Sequence, residues 1–334
     1  MKPTRYHKTF WRLLCLAAVL TGSATPLFAF GDSGIHNPVA ERCDGGITEA
    51  GTVQSGKFRL NFLIEGTGKP VIVIGLPNFY ARTFSKELRS HLRLVFVDHR
   101  GSAPTTEKDD VNITEDYAIE KVVDDVELMR TKLGLGEVAV IGHGGQANLA
   151  LEYVVKYPDH VSHLVMIGMP YLEVPFKIRH QTFPKLASPE RKAIQAKNEE
   201  RITDAFLATL SPSESSVERF IRDSPTMFYN PYLETAKFWN WVDMDDRFFA
   251  YLWDKKTLGN ISISERLQTV KTPIAVIVGP YDFHAPPLDY WYPLVKRSDH
   301  VKLMVFKKSG HLPQYEQPKA FDKRLLRWMG ILSK

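Results

Sequence analysis

His311 follows Ser309-Gly310 just after an apolar run, and Asp282 follows Gly279-Pro280-Tyr281 after another. A carboxylate that holds an imidazole, and an imidazole free to take a proton, together make a general base. A third stretch, Val138-Ala139-Val140-Ile141-Gly142-His143-Gly144-Gly145-Gln146-Ala147, reads as a buried strand, a glycine-crowded turn and a helix start with no loop between them. A turn of this kind aims free backbone N–H groups at an anion. Two chemistries use it: the nucleophile elbow G-x-S-x-G, and the G-x-G-x-x-[G/A] turn of dinucleotide binding. The first fits except that Gly144 stands where the serine should be. The second fits letter for letter through Gly142, Gly144 and Ala147.

The elements that must position these residues alternate. Thr52 to Gln54 and Phe58 to Glu65 read as a hairpin about Ser55-Gly56. Val71-Ile72-Val73-Ile74 and Leu94-Val95-Phe96-Val97 are continuous apolar runs, as in strands covered on both faces. Helix patterns fall at 82–91 and at 114–132, the latter with Ile119, Val122, Val123, Val126 and Met129 at helical spacing. After the glycine turn come a helix to about Tyr157, the strand Leu164 to Ile167, and later the strands Ile274 to Val278 and Val301 to Val305, with a helix near 288–296 and a last one over 318–329. Strands alternating with helices predict a mostly parallel sheet flanked by helices. Between 171 and 266 no buried-strand run occurs. Ten aromatics fall among the 26 positions 228–253, which predicts an inserted helical lid, either as its packing or as the roof of an apolar pocket.

In an open α/β sheet the site lies beyond the carboxyl ends of the strands. Those ends present Gly75-Leu76, Gly144-Gly145, Asp282 and His311, which in chain order is nucleophile position, acid, base. A dinucleotide site would need an acid at the end of the strand after the glycines, yet that strand ends Val165-Met166-Ile167-Gly168-Met169-Pro170. The turn therefore reads as an elbow, and no cofactor is expected.

The chain resembles the α/β-hydrolases, in particular their proline iminopeptidase-like branch. Five stretches carry the likeness: Asp98-His99-Arg100-Gly101; Gly142-His143-x-Gly145; Leu151-Glu152-Tyr153 with Lys156-Tyr157-Pro158; Gly279-x-Tyr281-Asp282; and Ser309-Gly310-His311. The resemblance implies an α/β-hydrolase core over 51–170 and 267–334 with a lid over 171–266. It implies cleavage of a small amide, ester or peptide N-terminus, with Asp282 orienting His311 and the Leu76 and Gly145 N–H groups holding the oxyanion. Gly144 departs from that pattern, because it supplies no attacking atom. Gln146, in place of a small residue, is expected to crowd the turn. Weak covalent activity or none is therefore expected, and a ligand-binding pseudoenzyme or non-covalent His/Asp catalysis remain as alternatives. Asp98 and Arg100 are expected to pair structurally. Glu234, Asp243, Asp245 and Asp246 are all lid acids able to meet a substrate amine.

The ends and the bulk numbers bound the rest. Lys2, Arg5, Lys8 and Arg12 precede the apolar run Leu13 to Leu20 and a small-residue stretch ending at Ala29, the pattern of a secretory signal. Export to the periplasm or the extracellular space is expected, with residues 30–50 as a surface arm and no membrane span after cleavage. The formal charge of +5 (43 − 38) falls to +1 (39 − 38) without the leader, so no nucleic-acid partner is expected. Cys15 lies in the leader and Cys43 is then alone, which leaves no internal disulfide, and no spacing resembles a metal site. A small molecule or short peptide is the expected ligand.

Overall fold

The computed structural model describes residues 47–103, 110–170, 173–174, 182–242, 245–254, 257–258 and 261–333. The expected leader, the arm up to residue 46, and Asp243 lie outside the described residues. Eight strands form one sheet in the order β1-β2-β4-β3-β5-β6-β7-β8. They are β1 (Ile47–Ser55), β2 (Phe58–Glu65), β3 (Lys69–Ile74), β4 (Leu92–Val97), β5 (Val138–His143), β6 (Val161–Ile167), β7 (Ile274–Val278) and β8 (Val301–Val305). The β1–β2 and β2–β4 pairings are antiparallel and all the others parallel. This is the α/β-hydrolase fold, with β1 starting four residues inside the stretch expected to be an arm.

The central strands are apolar on both faces because helices cover both. One layer packs Ile72, Ile74, Val95, Val140 and Met166 against α1 (Ile119–Lys132) and α2 (Gln146–Lys156). On the other face Val71, Val73, Phe96, Ile141 and Val165 meet α7 (Pro318–Trp328) through Phe321, Leu325 and Leu326. Between β6 and β7 the described residues contain helices and turns and no strand. The longer helices there, of seven residues or more, are α3 (Pro189–Arg201), α4 (Pro212–Arg222), α5 (Asp246–Leu252) and α6 (Ile263–Thr269). None of the helices among the described residues is long and apolar enough to cross a membrane.

Two expectations are corrected. The helix expected over 114–132 is broken: Ile113–Asp116 forms one turn and α1 starts anew at Ile119. Tyr117 turns inward at the break, fully buried, and its hydroxyl donates to Asp245 Oδ2 at 2.6 Å. Arg100 does not pair with Asp98. Its guanidinium forks onto Asp125 of α1, with Nε–Oδ2 and Nη2–Oδ1 both 2.8 Å, and its backbone N–H donates to the same carboxylate. Asp98 instead accepts from the Asn61 amide at 2.7 Å and from Ser102 Oγ at 3.1 Å. Truncating one partner of a buried ion pair strands the other. Asp125→Ala is therefore expected to destabilise the protein by about 3–5 kcal/mol, measured by chemical denaturation, while Ser55→Ala at the rim of the same pair costs far less.

Candidate active site

The fold gathers the ends of β3, β5, β6, β7 and β8 at one edge. β5 runs into α2 through Gly144, whose φ of +54° is left-handed. A Cβ at Gly144 would lie 3.4 Å from His311 Nε2, in ordinary contact, and among the described residues beyond its chain neighbours only that ring is within 4 Å. Beyond the next strand, Gly168 has φ +54° as well, and a Cβ there would stand 2.8 Å from His311 Nδ1. The imidazole thus lies between two glycine turns, its Nε2 facing the Gly144 backbone.

On the other side of the ring His311 Nδ1 is 2.6 Å from Asp282 Oδ2. The second oxygen of Asp282 accepts from the backbone N–H groups of His284 and Ala285, at 3.0 and 3.1 Å, so the carboxylate is buried yet fully bonded. Desolvation alone would lower the His311 pKa. The charge and hydrogen bond of Asp282, with Glu316 behind them, outweigh it and hold His311 above the ordinary histidine value. A base of this kind is charged below its raised pKa and becomes competent as the pH rises through it.

The N–H groups expected to hold an oxyanion lie at the same edge. Leu76 carries φ +42° and ψ +64°, a left-handed conformation uncommon for a branched residue, and caps the short helix Pro77–Tyr80. Gly145 caps α2 without a side-chain hydrogen bond. Among the described residues neither the Leu76 nor the Gly145 N–H donates to a protein group. Gln146 does not crowd this turn, contrary to expectation. Its side chain lies over Gly75, where a Cβ would come within 2.9 Å, and its Oε1 meets His99 Nε2 at 2.8 Å. Glycine at 75 makes the room that glutamine at 146 fills.

Several residues that hold this site were given no role by the sequence. His143 Nε2 lies 3.0 Å from the His311 carbonyl and its Nδ1 lies 3.2 Å from the Tyr80 hydroxyl. A carbonyl can only accept, so Nε2 carries the proton, and burial then holds the His143 pKa well below its usual value. Glu316 accepts the N–H groups of Gly310, Leu312 and Tyr229, at 2.8, 3.2 and 2.7 Å. From α3, buried Arg191 donates to the carbonyls of Pro225, Phe228 and Tyr229, at 2.7, 2.6 and 2.6 Å. The segment so clamped accepts the His311 N–H on the Met227 carbonyl at 2.6 Å. Arg191 and Glu316 are positioning residues: they fix the backbone that carries the base.

The aromatic stretch divides. Phe228, Phe238 and Phe248 are buried, and Phe248 sits edge-on to Tyr117 at 5.3 Å, whereas Tyr229, Tyr232, Trp241 and Trp253 are exposed. Trp253, 44% exposed, and Leu252 approach Gly145, where a Cβ would lie 3.1 and 3.4 Å from them. Of the acids expected to meet a substrate amine, Asp245 is engaged by Arg247 and Tyr117.

Asp98 and His99 sit buried behind the site with opposed titrations. Burial raises Asp98 to about 7, and burial lowers His99 to about 4. For Asp98 the folded value lies above the unfolded one, so its contribution to stability is complete below about pH 4 and lost as pH rises to about 7. For His99 the folded value is depressed, so stability is lost as pH falls through the interval from about 6.5 to 4. Asp98→Asn keeps the acceptor for Asn61 and removes the first effect. Its stability relative to the unsubstituted protein is expected to grow on going from pH 4 to 8, by on the order of 4 kcal/mol, in urea titrations at both pH values.

Comparison with known proteins places this geometry in a wide group. Residues 66–318 match the family described as alpha/beta hydrolase fold. The AB hydrolase superfamily protein YclE of Bacillus subtilis is 33% identical over 282 residues, covering 84% of this chain and 98% of that protein. A proline iminopeptidase of Heyndrickxia coagulans is 25% identical over 283 residues, covering 81% and 92%. The crystal structure of proline iminopeptidase from Mycobacterium smegmatis superposes with a TM-score of 0.63 at 19% identity, covering 84% of this chain and 98% of that one.

Proposed function

Because the chain belongs to the alpha/beta hydrolase fold family, we propose that it hydrolyses small ester, amide or peptide N-terminal substrates by direct base catalysis, with His311 activating water where serine hydrolases carry their nucleophile. The observation that carries this reading is the Asp282–His311 pair at 2.6 Å, with Nε2 turned to the bare backbone of Gly144. The substrate carbonyl oxygen binds at the Leu76 and Gly145 N–H groups, which stabilise the charge that develops as water adds. The water proton passes to His311 Nε2, Asp282 stabilises the resulting imidazolium, and His311 returns the proton to the leaving group. General-base assistance contributes about 10²–10⁴ in rate and each oxyanion donor about 10²–10³, so turnover is slow beside a covalent hydrolase but well above background. Leu252 and Trp253 next to Gly145 favour an apolar group beside the scissile carbonyl. The proline iminopeptidase relatives favour a small amide or peptide end.

The test is turnover of p-nitrophenyl esters and aminoacyl p-nitroanilides by the purified protein and by His311→Ala. Loss of turnover in the variant is expected; equal rates would overturn the reading. A binding role in the same pocket is favoured by one observation, the lack of an attacking side chain at Gly144. It predicts ligand-induced thermal stabilisation with no turnover. Residues 1–29 support export, and an N-terminus at Phe30 in the mature protein is the expected sequencing result.

A further inference from the structure

The base in this site serves a nucleophile that the chain does not contain. Among the described residues beyond its chain neighbours, a Cβ at Gly144 would meet only the edge of the His311 ring, at 3.4 Å from Nε2 and 3.7 Å from Cε1. The Gly168 turn lies against the far side of the imidazole, and next along the chain Trp253 and Leu252 stand at 3.1 and 3.4 Å from the corresponding point on Gly145. The point over Gly144 lies where a hydroxymethyl group would sit, beside a base and beside two N–H donors that bond no described protein group. Methanol has the heavy atoms of a serine side chain, and hydroxylamine is nearly its isostere.

We infer that the protein is also an acyltransferase to small hydroxyl nucleophiles, with a one-carbon alcohol or hydroxylamine entering the space over Gly144 as the acyl acceptor. This rests on the base-catalysed reading above and extends it to a second co-substrate. The acceptor O–H gives its proton to His311 Nε2 while its oxygen bonds the substrate carbonyl carbon. The tetrahedral oxyanion sits at the Leu76 and Gly145 N–H groups. On collapse, the bond to the leaving group breaks and that group takes the proton from His311, so an aryl ester and methanol give a methyl ester and a phenol. Freeing the nucleophile from the backbone forfeits the proximity that a tethered serine enjoys, so saturation requires a high acceptor concentration. Trp253 and Leu252, which crowd the neighbouring Gly145, stand where a longer acceptor chain would extend, so the site should favour the smaller alcohol.

The test incubates the full chain with p-nitrophenyl butyrate in water containing methanol, ethanol or propan-1-ol, and separates butyrate from the alkyl butyrate by gas chromatography. The ratio of methyl ester to acid is expected to exceed the enzyme-free ratio by at least about tenfold, to fall in the order methanol, ethanol, propan-1-ol, and to collapse in His311→Ala. Gly144→Ala, which fills the space without supplying an oxygen, is expected to lose the transfer product. Butyrate formation with no methyl ester above the enzyme-free level would overturn this inference and leave the hydrolytic reading intact. Ester formation that is equal for methanol and propan-1-ol would overturn it as well, since it would mean attack from bulk solvent. Methyl ester with no enzyme-dependent butyrate would uphold it and contradict hydrolysis, whereas neither product above the His311→Ala level would overturn both. The alcohol series on the unsubstituted protein decides the matter even where Gly144→Ala fails to fold.

Discussion

Gly144→Ser is expected to turn this protein into a covalent hydrolase, with ester turnover raised by about 10²–10⁴ and with new labelling by a serine-directed phosphonate. The room exists, because among the described residues beyond its chain neighbours a Cβ at 144 meets only the His311 ring, at 3.4 Å from Nε2, which is ordinary contact. The hydroxyl would point at a base already oriented by Asp282 at 2.6 Å, next to the Leu76 and Gly145 N–H groups. Backbone conformation opposes the change, since φ is +54° and a residue with a Cβ is strained there. A loss of about 1–2 kcal/mol in stability should accompany the gain in activity, which is the usual trade at a nucleophile turn. Mass spectrometry of the phosphonylated protein reads the first effect and urea denaturation the second. No labelling and no gain would mean that the turn does not present residue 144 to His311.

Asp282→Asn is expected to lower turnover of the unsubstituted protein by about 10³-fold or more without unfolding it. The amide oxygen would keep the two backbone donors, His284 and Ala285 at 3.0 and 3.1 Å, which leaves its NH₂ facing His311 Nδ1. His311 Nδ1 must then accept, the ring proton moves to Nε2, and the nitrogen facing Gly144 can no longer take a proton. The charge that lifts the His311 pKa is lost at the same time, so burial dominates and that pKa falls. Whatever activity remains should therefore reach its plateau at lower pH than in the parent. A rate loss with an unmoved pH profile would point to a change in packing alone.

The parts of this site that the sequence made legible are those with local signatures. Runs such as Val71 to Ile74 and Ile274 to Val278 could only be strands covered on both faces, and they are. The order of the strand ends points Gly144, Asp282 and His311 to one edge, and the three lie side by side there, because parallel strands deliver their carboxyl ends to one edge. What escaped has its cause in distant partners. Arg100 sits two residues from Asp98 but answers to Asp125 across the face of the sheet. The helix break at Tyr117 follows from a hydroxyl that bonds Asp245 at a separation of 128 residues. Arg191 and Glu316 look like solvated charges in the sequence. They matter because the segment 225–229 brings backbone carbonyls and N–H groups to them. Gln146 fits only because residue 75 has no side chain, a compensation between two turns that no spacing rule contains.

The most direct measurement of the central claim is a turnover assay in heavy-oxygen water, with the intact protein mass followed alongside the product. Base catalysis by His311 on a nucleophile from solvent predicts steady release of product acid carrying one heavy oxygen per turnover. It also predicts no acylated protein at any time and no release by His311→Ala. Acyl-protein accumulating during turnover, or the same rate with and without His311, would contradict it.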